Sequence, residues 1–299
     1  MSHSALRRPW LVLPVLLLTC ALLLPAATVP AQDAPPSATV AGRARIAADP
    51  TDPAGWIAVA QEALKSGDGA AALKVLRDGR AVARPSAPLL VLLGAACLDQ
   101  NKLSDAEQAT QDALTLDPAV PGGDIQLGAI FERVGWPESA VECYARALAR
   151  TPADNAARCA MAHGLVAAGR AAQAEKECVG WLGTAMKEPS LLVALAQALE
   201  AQDQLRPAFN IYGRVIMVDP QNAEAHARRG RLYCRFAQFD DAATECRVAL
   251  KLDPRNALAH ACLGLAYQRQ GQNDAAREQF LQAEAGGLHL DSEWGKLAQ

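Results

Sequence analysis

The chain has 299 residues, of which 51% are hydrophobic but only 5% aromatic, and its formal net charge at pH 7 is −3. Alanine supplies much of the apolar set, which favours helices packed closely through small side chains. A general affinity for nucleic acid needs a basic surface, so this charge balance excludes nucleic acid as the expected partner.

The first 31 residues resemble an export signal. Arg7 and Arg8 precede the apolar run "WLVLPVLLLTCALLLP", and the small residues Val29 and Ala31 predict cleavage after Ala31. Two alternatives stay open. The run approaches the roughly 20 residues that span a bilayer, so it is long enough to remain as an anchor, and "LLTC" resembles a lipoprotein signal ending at Cys20. We therefore expect an exported protein of the periplasm or cell envelope, or a membrane-anchored one facing outside the cytoplasm.

Residues 32–52 contain the stretch "QDAPPSATVAGRAR", with two adjacent prolines and many small residues. This composition predicts a linker between the signal and the folded part of the chain.

From residue 53 onward the chain repeats itself at a constant interval, shown for example by Ala72 and Ala106 (106 − 72 = 34). Twelve residues before each member of this alanine column lies a glycine or another alanine, and bulky apolar residues flank both columns. The alanine column is Ala72, Ala106, Ala140, Ala174, Ala208, Ala242 and Ala276. The period predicts seven units, at 53–86, 87–120, 121–154, 155–188, 189–222, 223–256 and 257–290, followed by a capping segment or tail at 291–299.

Each unit contains two helical patterns, here called helix A and helix B, joined by a turn. Two antiparallel helices approach closely only where one of them offers no side chain beyond Cβ, which explains the small columns. A Gly, Asn or Asp suited to φ > 0 marks the turn, and proline recurs at unit ends. The turn residues are Gly67, Asn101, Gly135, Gly169, Asp203 and Gly271; the end prolines are Pro118, Pro152, Pro220 and Pro254.

This pattern resembles the tetratricopeptide repeat family, whose unit of about 34 residues has small residues at fixed positions and a proline near its end. The resemblance implies an all-α, right-handed α-solenoid of seven helix-turn-helix repeats. It also implies a non-catalytic scaffold or adaptor that binds another protein or a peptide segment in a concave groove. With the export signal, envelope assembly or secretion is the expected setting.

Two other functions stay open at this stage. One is a membrane-tethered assembly factor that keeps its N-terminal segment or carries a lipid. The other is an enzyme or ligand-binding subunit, which is disfavoured because no phosphate loop, nucleophile motif or metal-ligand spacing occurs. We therefore predict no catalytic residue, no cofactor and no metal site.

The fourth unit departs from the pattern. Trp181 stands where other units place alanine, and Gly180 and Gly183 flank it. A bulky indole at this position should push the neighbouring helix away. We expect helix B of this unit to end early or bend, and the joint between an N-terminal and a C-terminal block to be irregular.

Four of the cysteines lie at positions that permit disulfides. Cys143 and Cys159 have the same spacing as Cys246 and Cys262 (159 − 143 = 16 and 262 − 246 = 16), which places each pair at one level across an antiparallel helix pair. An exported protein is allowed disulfides. The alternative is that cysteine serves here as a small apolar filler.

The partner-binding residues are expected on the stripe of helix A that faces away from helix B. This stripe is mostly apolar in the first three units, at Ile57, Val91, Leu98 and Ile125. In the sixth and seventh units it carries Arg228, Arg231, Arg235 and Arg269, which predict a positive field able to hold an acidic segment. The alternative is a solvated face neutralised by Glu224, Asp240, Asp241 or Glu245.

Overall fold

The computed structural model describes residues 38–183 and 187–288, and the regular secondary structure of this part of the chain is entirely α-helical. The expected signal at 1–31 and the tail at 291–299 lie outside the described residues. The helices are α1 (Ala38–Ala48), α2 (Pro53–Lys65), α3 (Gly69–Val82), α4 (Ala87–Asp99), α5 (Leu103–Leu116), α6 (Gly123–Val134), α7 (Pro137–Arg150), α8 (Asn155–Ala167), α9 (Ala171–Leu182), α10 (Pro189–Ala201), α11 (Leu205–Val218), α12 (Ala223–Arg235), α13 (Phe239–Leu252), α14 (Ala257–Arg269) and α15 (Asn273–Ala285).

Helices α2 to α15 form seven consecutive A–B pairs, one in each predicted unit. Each helix packs against the next one in the chain, and the A helices of most neighbouring units also touch each other. The α-solenoid predicted from the sequence is therefore confirmed. The stripe of the A helices that contains Ile57, Val91 and Leu98 stays partly exposed, and this stripe is here called the groove.

The small columns are the places where helices A and B meet. Every alanine of the predicted column is at most 3% exposed. A Cβ atom added at Gly128 would overlap the ring of Tyr144, and one added at Gly230 would lie 2.6 Å from Cys246 Sγ. Each glycine therefore makes room for a larger side chain that helix B projects toward it.

The turn between the helices uses a left-handed residue at the fifteenth position of every unit. The φ angle is positive at Gly67, Asn101, Gly135, Gly169, Asp203, Ala237 and Gly271. This conformation closes helix A and lets the chain reverse. Ala237, with φ 57°, is the one residue of this set whose type does not favour that conformation.

Unit ends are tied to the next unit through a proline carbonyl oxygen. The fourth residue of helix A donates an N–H to the carbonyl of the proline six residues earlier. A carbonyl oxygen can only accept, so the side-chain nitrogen is the donor in each pair. The pairs are Trp56 Nε1 with Pro50 (2.9 Å), Arg158 Nε with Pro152 (2.9 Å), His226 Nε2 with Pro220 (3.2 Å) and His260 Nε2 with Pro254 (3.1 Å).

Helix α1 corrects the prediction of a linker at residues 32–52. Ala38 precedes the column alanine Ala72 by one repeat period (72 − 38 = 34), and the ends of α1 and α3, at Ala48 and Val82, differ by the same amount (82 − 48 = 34). Gly42 is buried against Val59 of α2. The helix is thus the B helix of a further unit, formed because the Ala- and Arg-rich stretch after the two prolines has high helix propensity.

Of the two effects predicted for Trp181, an early end of helix B and an irregular joint between two blocks, the structure shows the first. Helix α9 ends at Leu182 after 12 residues, whereas α7 and α11 have 14 each, and the residue that follows, Gly183, has φ 54°. The Trp181 ring lies 5.9 Å from the guanidinium carbon of Arg158. The helix therefore ends early, as expected. The joint does not divide the core, however, because a single cluster of buried side chains includes Leu165 and Leu182 before it and Leu192 after it.

Candidate partner-binding groove

The N-terminal half of the groove is apolar, as the sequence predicted. Ile57, Val91, Leu98 and Ile125 lie on α2, α4 and α6 and are all half-buried. Ile57, Val91 and Leu98 also pack against one core cluster that runs from the first unit into the third. Part of each side chain remains exposed.

The C-terminal half of the groove contains the predicted arginine cluster. Arg228, Arg231 and Arg235 come together on α12 and line a cleft of about 360 Å³. The other residues of the cleft are Val166, Gln197, Glu200 and Ala201. Arg269 does not join this cluster, because its guanidinium lies over the ring of Phe239, 5.8 Å from the ring centroid.

Each of the three clustered arginines has a carboxylate partner within the chain. Arg228 Nε lies 2.8 Å from Glu224 Oε1 and Arg235 Nη2 lies 3.0 Å from Asp203 Oδ1, while Arg231 forms an ion pair with Glu200. The strong positive field that the sequence predicted is therefore offset. The alternative predicted from the sequence, in which acidic side chains neutralise the arginines, included Glu224 but not Glu200 or Asp203.

Arg235 also has a structural role that recurs in the third unit. Its partner Asp203 is the left-handed turn residue of the preceding unit. Arg133, at the same unit position, donates to Oδ1 of Asn101 (2.8 Å), the left-handed turn residue of the unit before it. Arg269 holds the same position in the seventh unit, but the turn residue of the unit before it is Ala237, whose methyl group cannot accept a hydrogen bond. The guanidinium of Arg269 lies over the ring of Phe239.

Glu200 is the centre of a buried polar group in the fifth unit. The Tyr212 hydroxyl donates to Glu200 Oε1 over 2.5 Å, and the guanidinium of Arg231 pairs with Oε2. Burial raises the pKa of Tyr212, which keeps the hydroxyl protonated as a donor. One oxygen of Glu200 thus accepts a hydrogen bond, and the other faces the guanidinium of Arg231 in an ion pair.

Glu132 occupies the same unit position two units earlier and has a different environment. Tyr144 forms a side-chain hydrogen bond with Glu132. The oxygen Oε1 of Glu132 is buried and has no hydrogen-bond partner among the residues that the structure describes. Burial raises the pKa of this carboxyl group, and the bond from Tyr144 opposes that shift. Sequence reasoning missed Glu132, although its spacing from Glu200 is two repeat periods (200 − 132 = 68) and was a visible signal.

The seven cysteines that the structure describes are all free thiols, so neither Cys143–Cys159 nor Cys246–Cys262 is a disulfide. Cys143, Cys246 and Cys262 are fully buried, and Cys246 fills the space beside Gly230. Burial raises the pKa of Cys143 and Cys262, which disfavours the thiolate needed for disulfide chemistry. The structure thus agrees with the alternative, in which cysteine is a small apolar filler.

Residues 38–183 and 187–288 contain neither a metal-binding cluster nor a membrane-spanning helix. No group of three or more His, Cys, Asp or Glu side chains in that part of the chain is placed to hold a metal ion. Nor does any helix there combine the length and the apolar character that crossing a bilayer requires.

Comparison with known proteins identifies the repeat. A family model described as "TPR repeat" matches residues 238–271, which cover α13 and α14. The crystal structure of a tetratricopeptide repeat protein from Parabacteroides merdae superposes with a TM-score of 0.64 at 18% identity, over 81% of this chain and 96% of that one. The APC/C hetero-tetramer Cut9-Hcn1 gives a TM-score of 0.65 at 17% identity, over 88% of this chain and 52% of that one. No curated protein matches the chain by sequence. At these identities, the structural matches establish the fold alone.

Proposed function

Because this chain is a tetratricopeptide repeat protein, we propose that it is a non-catalytic scaffold or adaptor that binds a segment of another protein in the groove of its A helices. Solenoids of this kind leave a long face that neighbouring units do not cover, and such a face suits an extended or helical segment. The solenoid fold is consistent with protein–protein interaction.

The observation that supports this proposal best is the row of apolar side chains in the N-terminal half of the groove. Single exposed apolar residues are common on any protein surface, but an aligned row of them marks a contact site. Ile57, Val91, Leu98 and Ile125 form such a row along three successive A helices and keep part of their surface exposed. The partner segment would bury its own apolar side chains against this row.

The arginine cluster would contribute less than its charge suggests. An acidic group of the partner would have to replace Glu224 or Asp203, whose side chains are 51% and 78% exposed and can move away at little cost. It would not replace Glu200, which is buried with Arg231. We therefore propose that any acidic part of the partner reaches Arg228 and Arg235 at the edge of the cleft.

We also propose that the chain is exported and acts in the cell envelope, in assembly or secretion. The support is Arg7 and Arg8 before an apolar run, with small residues at Val29 and Ala31. A membrane-tethered assembly factor is the second candidate, and it differs in keeping this segment or a lipid on Cys20. The intact mass of the purified protein separates them: cleavage leaves a chain that begins at Gln32, a retained anchor adds the whole segment, and lipidation adds an acyl mass to a chain that begins at Cys20.

Photo-crosslinking in the producing cell tests the scaffold function. A photoreactive residue at 91 or 125 is expected to capture a protein partner, whereas the same residue at Lys74 or Gln111, exposed on the B helices, is not. The double variant Val91→Glu and Ile125→Glu should lose capture while it keeps its helical circular dichroism. Equal capture from both faces, or none from the groove, would contradict the proposed function.

A further inference from the structure

Two tyrosine–glutamate pairs occupy equivalent places in the solenoid, two units apart. Glu132 and Glu200 are separated by two periods (200 − 132 = 68), and so are Tyr144 and Tyr212 (212 − 144 = 68). In each pair the tyrosine of helix B hydrogen bonds to the glutamate of helix A. The chain thus contains two copies of one buried site, and the copy in the fifth unit shows which partners the carboxylate accepts.

In that copy the carboxylate forms an ion pair within the chain. Glu200 accepts from Tyr212 with one oxygen and pairs with Arg231 of the next unit through the other. Its side chain is only 7% exposed, and a carboxylate so buried is stable only with a cation or several donors. Arg231 supplies that cation.

The copy in the third unit has no such cation among the residues that the structure describes. The residue two periods before Arg231 is His163 (231 − 163 = 68), an exposed side chain that hydrogen bonds to Gln197 rather than to Glu132. Oε1 of Glu132 is left buried with no hydrogen-bond partner in the described part of the chain. Leaving a buried acceptor unpaired is unfavourable, so this carboxylate gains more from an external cation than an exposed one would.

The surroundings of Glu132 allow such a cation to approach. Glu132 is half-buried, so part of its side chain is in contact with solvent. An added Cβ at Gly164 would lie 3.2 Å from Oε1, so no side chain extends from that position toward the carboxyl group. Ile125 and Leu98 provide apolar surface on the same groove.

We propose that Glu132 receives an arginine side chain of the bound segment, in the position that Arg231 takes beside Glu200. This inference rests on the proposed function and specifies its partner: a segment with an arginine flanked by apolar residues. The planar guanidinium fits a carboxylate in a forked pair, and the alkyl part of the side chain suits the apolar row.

Synthetic peptides test the proposal without knowledge of the natural partner. The probe is an acetylated, amidated Leu/Ala peptide with one central arginine, compared with the same peptide carrying citrulline, which has the same shape but no charge. Fluorescence anisotropy should show the arginine peptide binding about tenfold more tightly, the effect of one charge-assisted hydrogen bond. Glu132→Gln should abolish the difference, and Glu142→Gln, on the exposed side of α7, should preserve it.

His163→Arg provides a second variant that tests the same assignment from within the chain. The new arginine should pair with Glu132, raise the melting temperature and remove the preference for the arginine peptide. Glu132→Gln combined with His163→Arg should lose that gain in melting temperature.

The outcomes separate this proposal from the proposed function. If the arginine and citrulline peptides bind equally, or if the preference persists in Glu132→Gln, the assignment of Glu132 is wrong. Groove binding then still stands if Ile125→Glu abolishes binding of both peptides. Failure of the arginine peptide to bind overturns the assignment, and loss of crosslinking from the groove overturns the function itself.

Discussion

Units 3 and 5 carry the same glutamate and the same tyrosine, yet among residues 38–183 and 187–288 only one of the two carboxylates has a cation beside it. Glu200 is bound by Tyr212 and Arg231, whereas Glu132 is bound by Tyr144 and has one buried oxygen without a hydrogen bond in that part of the chain. The backbone and the repeat positions are equivalent. The difference comes from one residue of the following unit, arginine in one case and His163 in the other.

This comparison shows how a repeat protein sets apart a binding region without changing its scaffold. The C-terminal half of the groove satisfies its own charges, because Arg228, Arg231 and Arg235 all pair internally. The N-terminal half presents an apolar row and an unpaired carboxylate. A partner therefore gains most by binding to the N-terminal half.

Removal of Arg231 should produce the largest effect. Arg231→Met leaves Glu200 buried and unpaired, as Glu132 is, and we expect a loss of about 2–4 kcal/mol in the free energy of unfolding. Arg228→Met is the matched control, because its partner Glu224 is 51% exposed, and it should cost less than about 1 kcal/mol. Urea denaturation measures both, and equal losses would mean that Glu200 does not depend on its cation.

A glycine in the third unit gives a test of intermediate size. Gly128→Ala places a methyl group against the ring of Tyr144, which holds Glu132, and should cost about 1–3 kcal/mol. Gly180→Ala, on the exposed face of α9 with no atom near its added Cβ, should instead stabilise the chain by about 0.5–1 kcal/mol. If the two substitutions shift the urea midpoint in the same direction, Tyr144 does not pack on Gly128 as described.

The pH dependence of stability gives the smallest effect, since Glu132 is only half-buried. Burial raises its pKa in the folded chain above the ordinary 4.5. Between those two pKa values the unfolded chain has released the proton while the folded chain keeps it, so stability falls as pH rises through that window. Glu132→Gln should remove this part of the decline, and parallel stability–pH curves for the two proteins would show that the carboxyl group is not perturbed.

Much of the fold was predictable because the repeat restricts residue size at a few positions. The column of Ala72 and Ala140 and the left-handed turn positions each follow from one close contact or one φ angle, so they appear in the sequence. Helix α1 had the same signal, since Ala38 and Pro50 fall on repeat columns, but the adjacent prolines before it suggested a linker.

The groove was less predictable because its pairs join different units. Arg231 and Glu200 are separated by 231 − 200 = 31 positions, and Arg235 and Asp203 by 235 − 203 = 32. Neither pair lies on a single helix, so the pattern along one helical face reveals the arginines but not their partners. Whether Glu132 is paired depends on the direction in which His163 points, and spacing cannot specify a side-chain direction.

Hydrogen–deuterium exchange of the chain with and without its captured partner tests the central claim most directly. We expect binding to slow amide exchange in the A helices of the N-terminal half, α2, α4 and α6, and to leave the neighbouring B helices α3, α5 and α7 unchanged. Protection concentrated in the B helices, or confined to α12 and α14, would contradict it.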